Sequence, residues 1–240
     1  MKSLLAVVVF LAGMQFTAVA QETFLDLEGR PLPNTVLNLD KSAGYDELSI
    51  GIRIPFLTGN ADNGGDKWTD LFHSPGIGFN LEGSFLWAMS DKVALGIYTS
   101  FDLDNFNGKS QTVDVGNGPE TMTLDHLLMT RFLVGFRIRE TFRSFFMDQS
   151  IGFGWANYSA VNAHVSGVSI GVLDNSFEFA FDLTLRLGFV VSRVVDLGMS
   201  VSYNYNGAPS VASDLSQADP GLKFDAQSNA VIAFFINLNF

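Results

Sequence analysis

The sequence predicts an all-β protein, a closed antiparallel transmembrane β-barrel with eight strands. Three observations predict this fold. Apolar residues recur at every second position in eight segments, which is the period of a strand with one apolar face. The connections between these segments alternate between short and long, as they do in transmembrane barrels. The last segment alternates strictly from Ala230 to the final residue, Phe240.

The first 20 residues have the pattern of a secretory signal peptide. Lys2 gives a short positive region, residues 4–11 are apolar, and Ala18-Val19-Ala20 fits a small-residue cleavage site. The apolar stretch is too short to anchor the chain as a membrane helix. Residues 21–44, which contain two prolines and several acids, are expected to form a periplasmic extension before the barrel domain of residues 45–240.

Composition excludes several classes of function. The chain has 240 residues, no Cys and a formal net charge of −11. Without Cys there are no disulfides, thiolate metal sites or Cys nucleophiles. An acidic chain is not expected to bind nucleic acid, because phosphate binding needs a basic surface.

Each of the eight predicted strands reaches the roughly 9–11 residues that cross a bilayer. Ten strands remain an alternative, if residues 21–44 or the third long loop enter the wall. The eight strands are predicted near residues 47–57, 76–90, 92–103, 123–138, 144–156, 176–190, 193–205 and 227–240.

Three connections are predicted to be tight, around Ser90-Asp91, residues 140–143 and Val191-Ser192. The other four are long. Short turns on the periplasmic side and long loops on the extracellular side are expected of an outer-membrane barrel. The third long loop, residues 157–175, alternates Val and Ile with small residues, so it is expected to form a hairpin beyond the membrane or to fold back on the barrel.

The inward phase of the strands is small and polar, and it contains charges. An eight-stranded barrel is just wide enough for side chains. Buried charges must be paired there, because an unpaired one costs several kcal/mol. We therefore predict an interior salt-bridge plug, with a gated ion path as the first alternative and a proton relay or catalysis as the second. The predicted interior charge network is Arg53, Glu82, Arg131, Arg137, Asp148, Asp182, Arg186 and Asp196.

The outer mouth of the barrel is predicted to be acidic. Asp102, Asp125 and Glu178 are placed there, and the long loops hold more acids than lysines. A negative potential at the mouth favours cations or basic partners.

No catalytic, metal or cofactor site is predicted. His126 is placed on the outward face near the outer interface, without a Ser beside it on that strand. The first long loop, residues 60–66, lacks the ligand positions of a calcium-binding loop.

The alternating terminal strand that ends in Phe240 resembles the end of bacterial outer-membrane barrels, in which such a strand closes the barrel and is read by the assembly machinery. With the eight strands, the chain after about residue 45 resembles the small OmpA/OmpX-type barrels of Gram-negative bacteria. This resemblance implies a structural or surface-interaction role in membrane integrity, adhesion or defence. It implies contact with outer-membrane lipid and lipopolysaccharide, and an extracellular protein partner at the loops. A narrow cation-preferring pore and a lipid A-modifying enzyme are the alternatives.

Overall fold

Eight long strands close into one antiparallel barrel. The structure is a computed structural model and describes residues 44–62, 65–90, 92–114, 118–192 and 194–240. The barrel strands are β1 (Tyr45–Thr58), β2 (Ile77–Ala88), β3 (Val93–Phe106), β6 (Leu127–Phe142), β7 (Phe145–Tyr158), β10 (Ser176–Val190), β11 (Val195–Asn206) and β12 (Gln227–Asn239). Their order around the barrel is β1-β12-β11-β10-β7-β6-β3-β2.

The prediction of eight strands is confirmed, and the alternative of ten is wrong. The barrel closes where β1 pairs with β12 in one unbroken register from Glu47↔Asn239 to Thr58↔Ser228. Closure leaves no strand edge in the wall, so every wall strand has two hydrogen-bonded neighbours. The predicted signal peptide and residues 21–43 of the predicted extension lie outside the described residues.

The two ends of the barrel differ in their connections. We call one the turn end, where short connections join β2 to β3, β6 to β7 and β10 to β11. We call the other the loop end, where four long connections lie between β1 and β2, between β3 and β6, between β7 and β10, and between β11 and β12. The predicted sorting of short and long connections is therefore present in the structure.

The outer surface of the barrel is apolar. Along each strand, the residues between the inward-facing ones point outwards, and many have large, exposed apolar side chains. Trp155 is 61% exposed and Phe177 is 77% exposed. A surface of this kind suits contact with lipid, because the closed ladder pairs the backbone of each wall strand with two neighbouring strands. No helix among the described residues has the length and hydrophobicity to cross a membrane.

A second, four-stranded sheet stands at the loop end. Its strands are β4 (Ser110–Asp114), β5 (Pro119–Leu124), β8 (Val161–Val165) and β9 (Val168–Leu173), in the order β4-β5-β8-β9. The predicted hairpin in the third loop is confirmed as β8–β9. Its two-residue turn is Ser166-Gly167, and both residues have positive φ (52° and 80°), as such turns require.

The β4–β5 hairpin was not predicted, because its alternation uses Ser, Thr and Gln rather than large apolar residues. Two short helices complete the loop end, α1 (Trp68–Leu71) in the first loop and α2 (Ser213–Ala218) in the fourth.

Candidate functional site: the barrel interior and its cap

The turn-end half of the interior is filled by an ion-pair cluster. At its centre, Arg137 bonds Glu47 at 3.0 Å and also bonds Glu82. Arg139 holds Asp148 with two parallel bonds of 2.7 Å, the bidentate geometry that suits a guanidinium and a carboxylate. We call this group the turn-side cluster; it consists of Glu47, Glu82, Arg137, Arg139, Asp148 and Arg186.

A second ion-pair group lies nearer the loop end, and we call it the loop-side cluster. It consists of Arg53, Asp102, Asp104 and Arg131. Arg53 bonds Asp104 through Nε at 2.9 Å and reaches Asp102 at 3.1 Å, while Arg131 bonds Asp102 at 2.5 Å. Asn80 donates a further bond of 2.6 Å to Asp102. All of these side chains are buried, so their pairing offsets the cost of removing charge from water.

A small polar cavity, which we call the chamber, lies between the two clusters. Its volume is about 30 Å³, room for more than one water molecule. Charged side chains of both clusters line it together with Asp182 and several hydroxyl groups, which belong to Tyr98, Ser100, Ser150, Thr184, Ser200 and Ser202.

Tyr98 depends on two glycines on neighbouring strands. A Cβ on Gly152 would lie 2.3 Å from the Tyr98 hydroxyl, and one on Gly135 would lie 2.5 Å from its ring. The two glycines therefore make the space in which the ring crosses the interior. The ring brings the Tyr98 hydroxyl to Asp182 at 3.2 Å.

Buried amides form the next layer towards the loop end. Asn206 donates to Gln227 at 2.6 Å, and Gln227 donates to Asn229. Asn204 lies opposite Asn229 in the register of β11 and β12. All four are completely buried, so this layer belongs to the packed interior and not to an open mouth.

An apolar core caps the barrel above this layer, and we call it the lid. Trp68 of α1 is fully buried and stacks on Phe224 of the fourth loop and on Phe72, at centroid distances of 5.8 and 6.3 Å. Phe106 at the end of β3 is buried in the same core. The first and fourth loops are also tied by a backbone bond from Asp225 to Ala61 at 2.8 Å. The lid closes the interior at the loop end.

A polar cluster joins the loop-end sheet to the start of β6. Asp125 bonds His164 at 3.0 Å and accepts two bonds from Asn162, at 3.1 and 3.3 Å. Burial alone would raise the pKa of Asp125, but the hydrogen bonds from His164 and Asn162 outweigh it and hold the pKa below its ordinary value.

All eight residues of the predicted interior network lie buried in the barrel. Six of them belong to the two clusters, and the other two differ. Asp182 faces the chamber, and Asp196 lies at the turn end, 4.0 Å from Arg139 and 3.1 Å from Asn239.

The three residues predicted at the mouth are not together. The prediction that Asp102 lies at the mouth is wrong, because Asp102 is only 2% exposed and bonds two arginines of the loop-side cluster. The prediction failed because β3 continues to Phe106, so Asp102 lies within the wall and not at its rim. Asp125 and Glu178 do lie towards the loop end, where Glu178 is half-buried near Gly207.

Three members of the clusters were not predicted, namely Glu47, Asp104 and Arg139. Each is in the inward phase of its strand and buried, but each lies at or just beyond a predicted strand end. Extending the period-2 pattern by one residue would have found Asp104 and Arg139, and Glu47 is the first residue of a predicted strand.

His126 lies in the break between β5 and β6 and is exposed. It was predicted within a continuous strand, on its outward face. The wall strand β6 begins only at Leu127. The alternation of β6 therefore does not include His126.

The terminal residue, Phe240, is 74% exposed at the turn end. Its backbone nitrogen donates to Asp46 at 2.9 Å, so the chain terminus is held against the start of β1.

Comparison with known proteins finds similarity in structure only. No protein-family model matches the chain, and no curated protein matches it in sequence. Ail, the attachment invasion locus protein of Yersinia pestis, is 13% identical with a TM-score of 0.45, and the match covers 82% of this chain and 99% of Ail.

Two further structures are similar to a comparable degree. The outer membrane protein OprG from Pseudomonas aeruginosa is 14% identical with a TM-score of 0.45, over 83% of this chain and 97% of OprG. The outer membrane enzyme PagL is 13% identical with a TM-score of 0.42, over 79% of this chain and 97% of PagL.

Proposed function

We propose that the chain is a closed barrel of the bacterial outer membrane, with its turn end in the periplasm and its loop end outside the cell. The apolar outer surface and the sorting of connections support this placement. Membrane lipid and lipopolysaccharide then surround the wall. The exposed Phe240 is the signal for the assembly machinery.

The role we propose is structural and surface-interacting, and one observation carries it: packed side chains close the interior on both sides of the small chamber. Two ion-pair clusters, an amide layer and the apolar lid succeed one another along the axis. A barrel filled in this way is a rigid, non-conducting support. What it displays to the outside is the loop-end sheet.

The charge of the loop end suggests the kind of partner. The described residues of the four long connections contain ten acids against three lysines, Lys67, Lys109 and Lys223. Such a surface attracts basic protein segments and repels anionic ones. We therefore propose a basic extracellular protein as the partner of the loops.

Conductance in planar bilayers tests the closed interior. The refolded full chain is expected to give no steady conductance. Arg137→Ala removes the centre of the turn-side cluster, and with Trp68→Ala in the same chain it should produce a leak. Arg137→Lys with Trp68→Phe is the matched control, which keeps the charge and the aromatic ring and should stay closed.

A narrow cation-preferring pore is the second candidate. The buried interior of the described chain contains seven carboxylates and five arginines, an excess of two negative charges that would favour cations. Steady, cation-selective conductance in the unaltered chain would overturn the closed barrel and favour this pore.

We further propose that the protein is not an enzyme. His126 is exposed in a strand break, and among the described residues no hydroxyl group is hydrogen-bonded to His164. Expression of the chain should leave the mass of lipid A unchanged. If expression changes the mass of lipid A and His126→Ala abolishes that change, the protein is a lipid A-modifying enzyme instead.

A further inference from the structure

Asp182 differs from every other buried carboxylate in the described chain, because it has no cationic partner within 4.0 Å. It is 6% exposed and lines the chamber. Among the described residues, its two oxygens accept bonds from hydroxyl groups alone, from Tyr98 at 3.2 Å and from Thr184 at 2.9 Å. Hydroxyl groups solvate a carboxylate without neutralising its charge.

The charge balance of the chamber points in the same direction. Three carboxylates line it, Glu82, Asp102 and Asp182, against two guanidinium groups, Arg53 and Arg186. Both arginines already pair with carboxylates other than Asp182, at 2.7 Å for Arg186 to Glu82 and 2.9 Å for Arg53 to Asp104. One negative charge therefore remains uncompensated, which is costly in the low-dielectric interior.

A second, independent observation concerns Arg186. Its side chain is 4% exposed and lines the chamber, yet its Nε and Nη1 have no hydrogen-bond partner among the described residues. Its Nη1 lies 4.0 Å from Glu47 and its Nη2 bonds Glu82, so the guanidinium is held by the turn-side cluster and does not neutralise Asp182.

We propose that the chamber binds one monovalent alkali cation with its water, and that Asp182 is the charged ligand. The hydroxyl oxygens of the lining are the ligand type that hard cations prefer. One uncompensated charge calls for one positive charge. A divalent ion would leave an excess beside Arg53 and Arg186, and the described residues contain no group of three or more His, Asp or Glu side chains fit to hold a metal ion.

Thermal unfolding of the refolded full chain tests this site. The midpoint Tm is measured in sodium, potassium, lithium and choline chloride at equal ionic strength and constant pH. At about five times the Kd of the preferred cation, Tm should exceed that in choline by roughly 2–4 °C. Choline is too large for the chamber and controls for screening.

Two variants localise the effect. Asp182→Asn keeps the size of the side chain and removes its charge, so the difference between alkali and choline salts should disappear. Asp196→Asn is the matched control, because Asp196 is also buried in the barrel but does not line the chamber. It should retain the difference.

A direct binding measurement completes the test. Excess broadening of the sodium NMR signal by the folded chain should be lost with Asp182→Asn and kept with Asp196→Asn. Equal Tm in all four salts, or stabilisation that follows pH and ignores the cation, would overturn the proposal in favour of a proton or water alone. These outcomes are independent of whether the barrel conducts.

Discussion

The two halves of the barrel interior are closed by opposite chemistry. The turn-end half is filled by guanidinium and carboxylate groups, centred on Arg137. The loop end is capped by an ordinary apolar core around Trp68. This difference in chemistry follows from what surrounds each part of the barrel. Where lipid surrounds the wall, apolar residues face outwards and polar ones are left inside; where water surrounds the loops, apolar residues turn inwards.

Because the surroundings differ, substitutions in the two regions are expected to affect the free energy of unfolding in different ways. Loss of a charge from the turn-side cluster leaves one opposite charge buried without compensation, whereas loss of an apolar side chain from the lid leaves a cavity. Both are costly, but only the first should weaken the barrel itself.

The largest effect is expected for Arg137→Ala. It leaves three carboxylates against two arginines in the turn-side cluster, although Glu47 still pairs with Arg139 and Glu82 with Arg186. It also removes the guanidinium that stacks over the Tyr98 ring at 5.1 Å. Breaking a buried ion pair in this way costs about 3–5 kcal/mol. Urea unfolding of the refolded chain measures it. A loss below about 1 kcal/mol would show that the cluster does not stabilise the barrel.

Trp68→Ala should be costly at the loop end only. Truncating a buried aromatic side chain costs about 3–5 kcal/mol. Here the loss should lower the local stability of the lid and not that of the barrel wall. Proteolysis of the first and fourth loops should accelerate while the heat-resistant barrel band on gels is unchanged. Trp155→Ala, in the lipid-facing surface, is the control and should leave loop proteolysis as it was.

A smaller effect concerns pH and the Asp125–His164 contact. A carboxyl whose pKa is lower in the folded state stabilises that state above its ordinary pKa, and the contribution is lost as pH falls through the folded value. Hydrogen exchange in β8 should therefore accelerate below about pH 4. Asp125→Asn should remove this acid-induced step, and its persistence in the variant would assign the step to another group.

The smallest effect on stability is expected for Phe240→Ala. The side chain is 74% exposed, and its loss should change the free energy of unfolding by no more than about 0.5 kcal/mol. The amount of barrel assembled in the membrane should nevertheless fall. Unchanged assembly would remove Phe240 as the recognition signal.

The same change of solvent explains what the sequence could and could not predict. Along β10, every second residue from Phe177 to Phe189 is apolar and faces outwards, and the residues between them face the interior. The strand and its inward residues Asp182 and Arg186 were therefore predictable. At residues 124–127 the alternation crosses from the loop-end sheet into the wall. Leu124 and Leu127 are both buried in the apolar core at the loop end, and the period-2 pattern misplaced His126 between them.

The pairing inside the barrel could not be predicted either. Phase alone places a charge inside, but the partner depends on the register and tilt of all eight strands. Arg186 bonds Glu82 at 2.7 Å although 104 residues separate them. The lid was beyond prediction for a similar reason, since Trp68 and Phe224 come from loops at opposite ends of the chain.

The most direct test of the two seals is the reactivity of one cysteine in the chamber. The chain has no native Cys, and Ser202 lines the chamber at 6% exposure. In lipid vesicles, Ser202→Cys is predicted to resist a membrane-impermeant thiol reagent from both sides. Added Trp68→Ala should admit the reagent from the loop end only, and added Arg137→Ala from the turn end only. Rapid labelling of Ser202→Cys in the otherwise unaltered chain would contradict a closed interior.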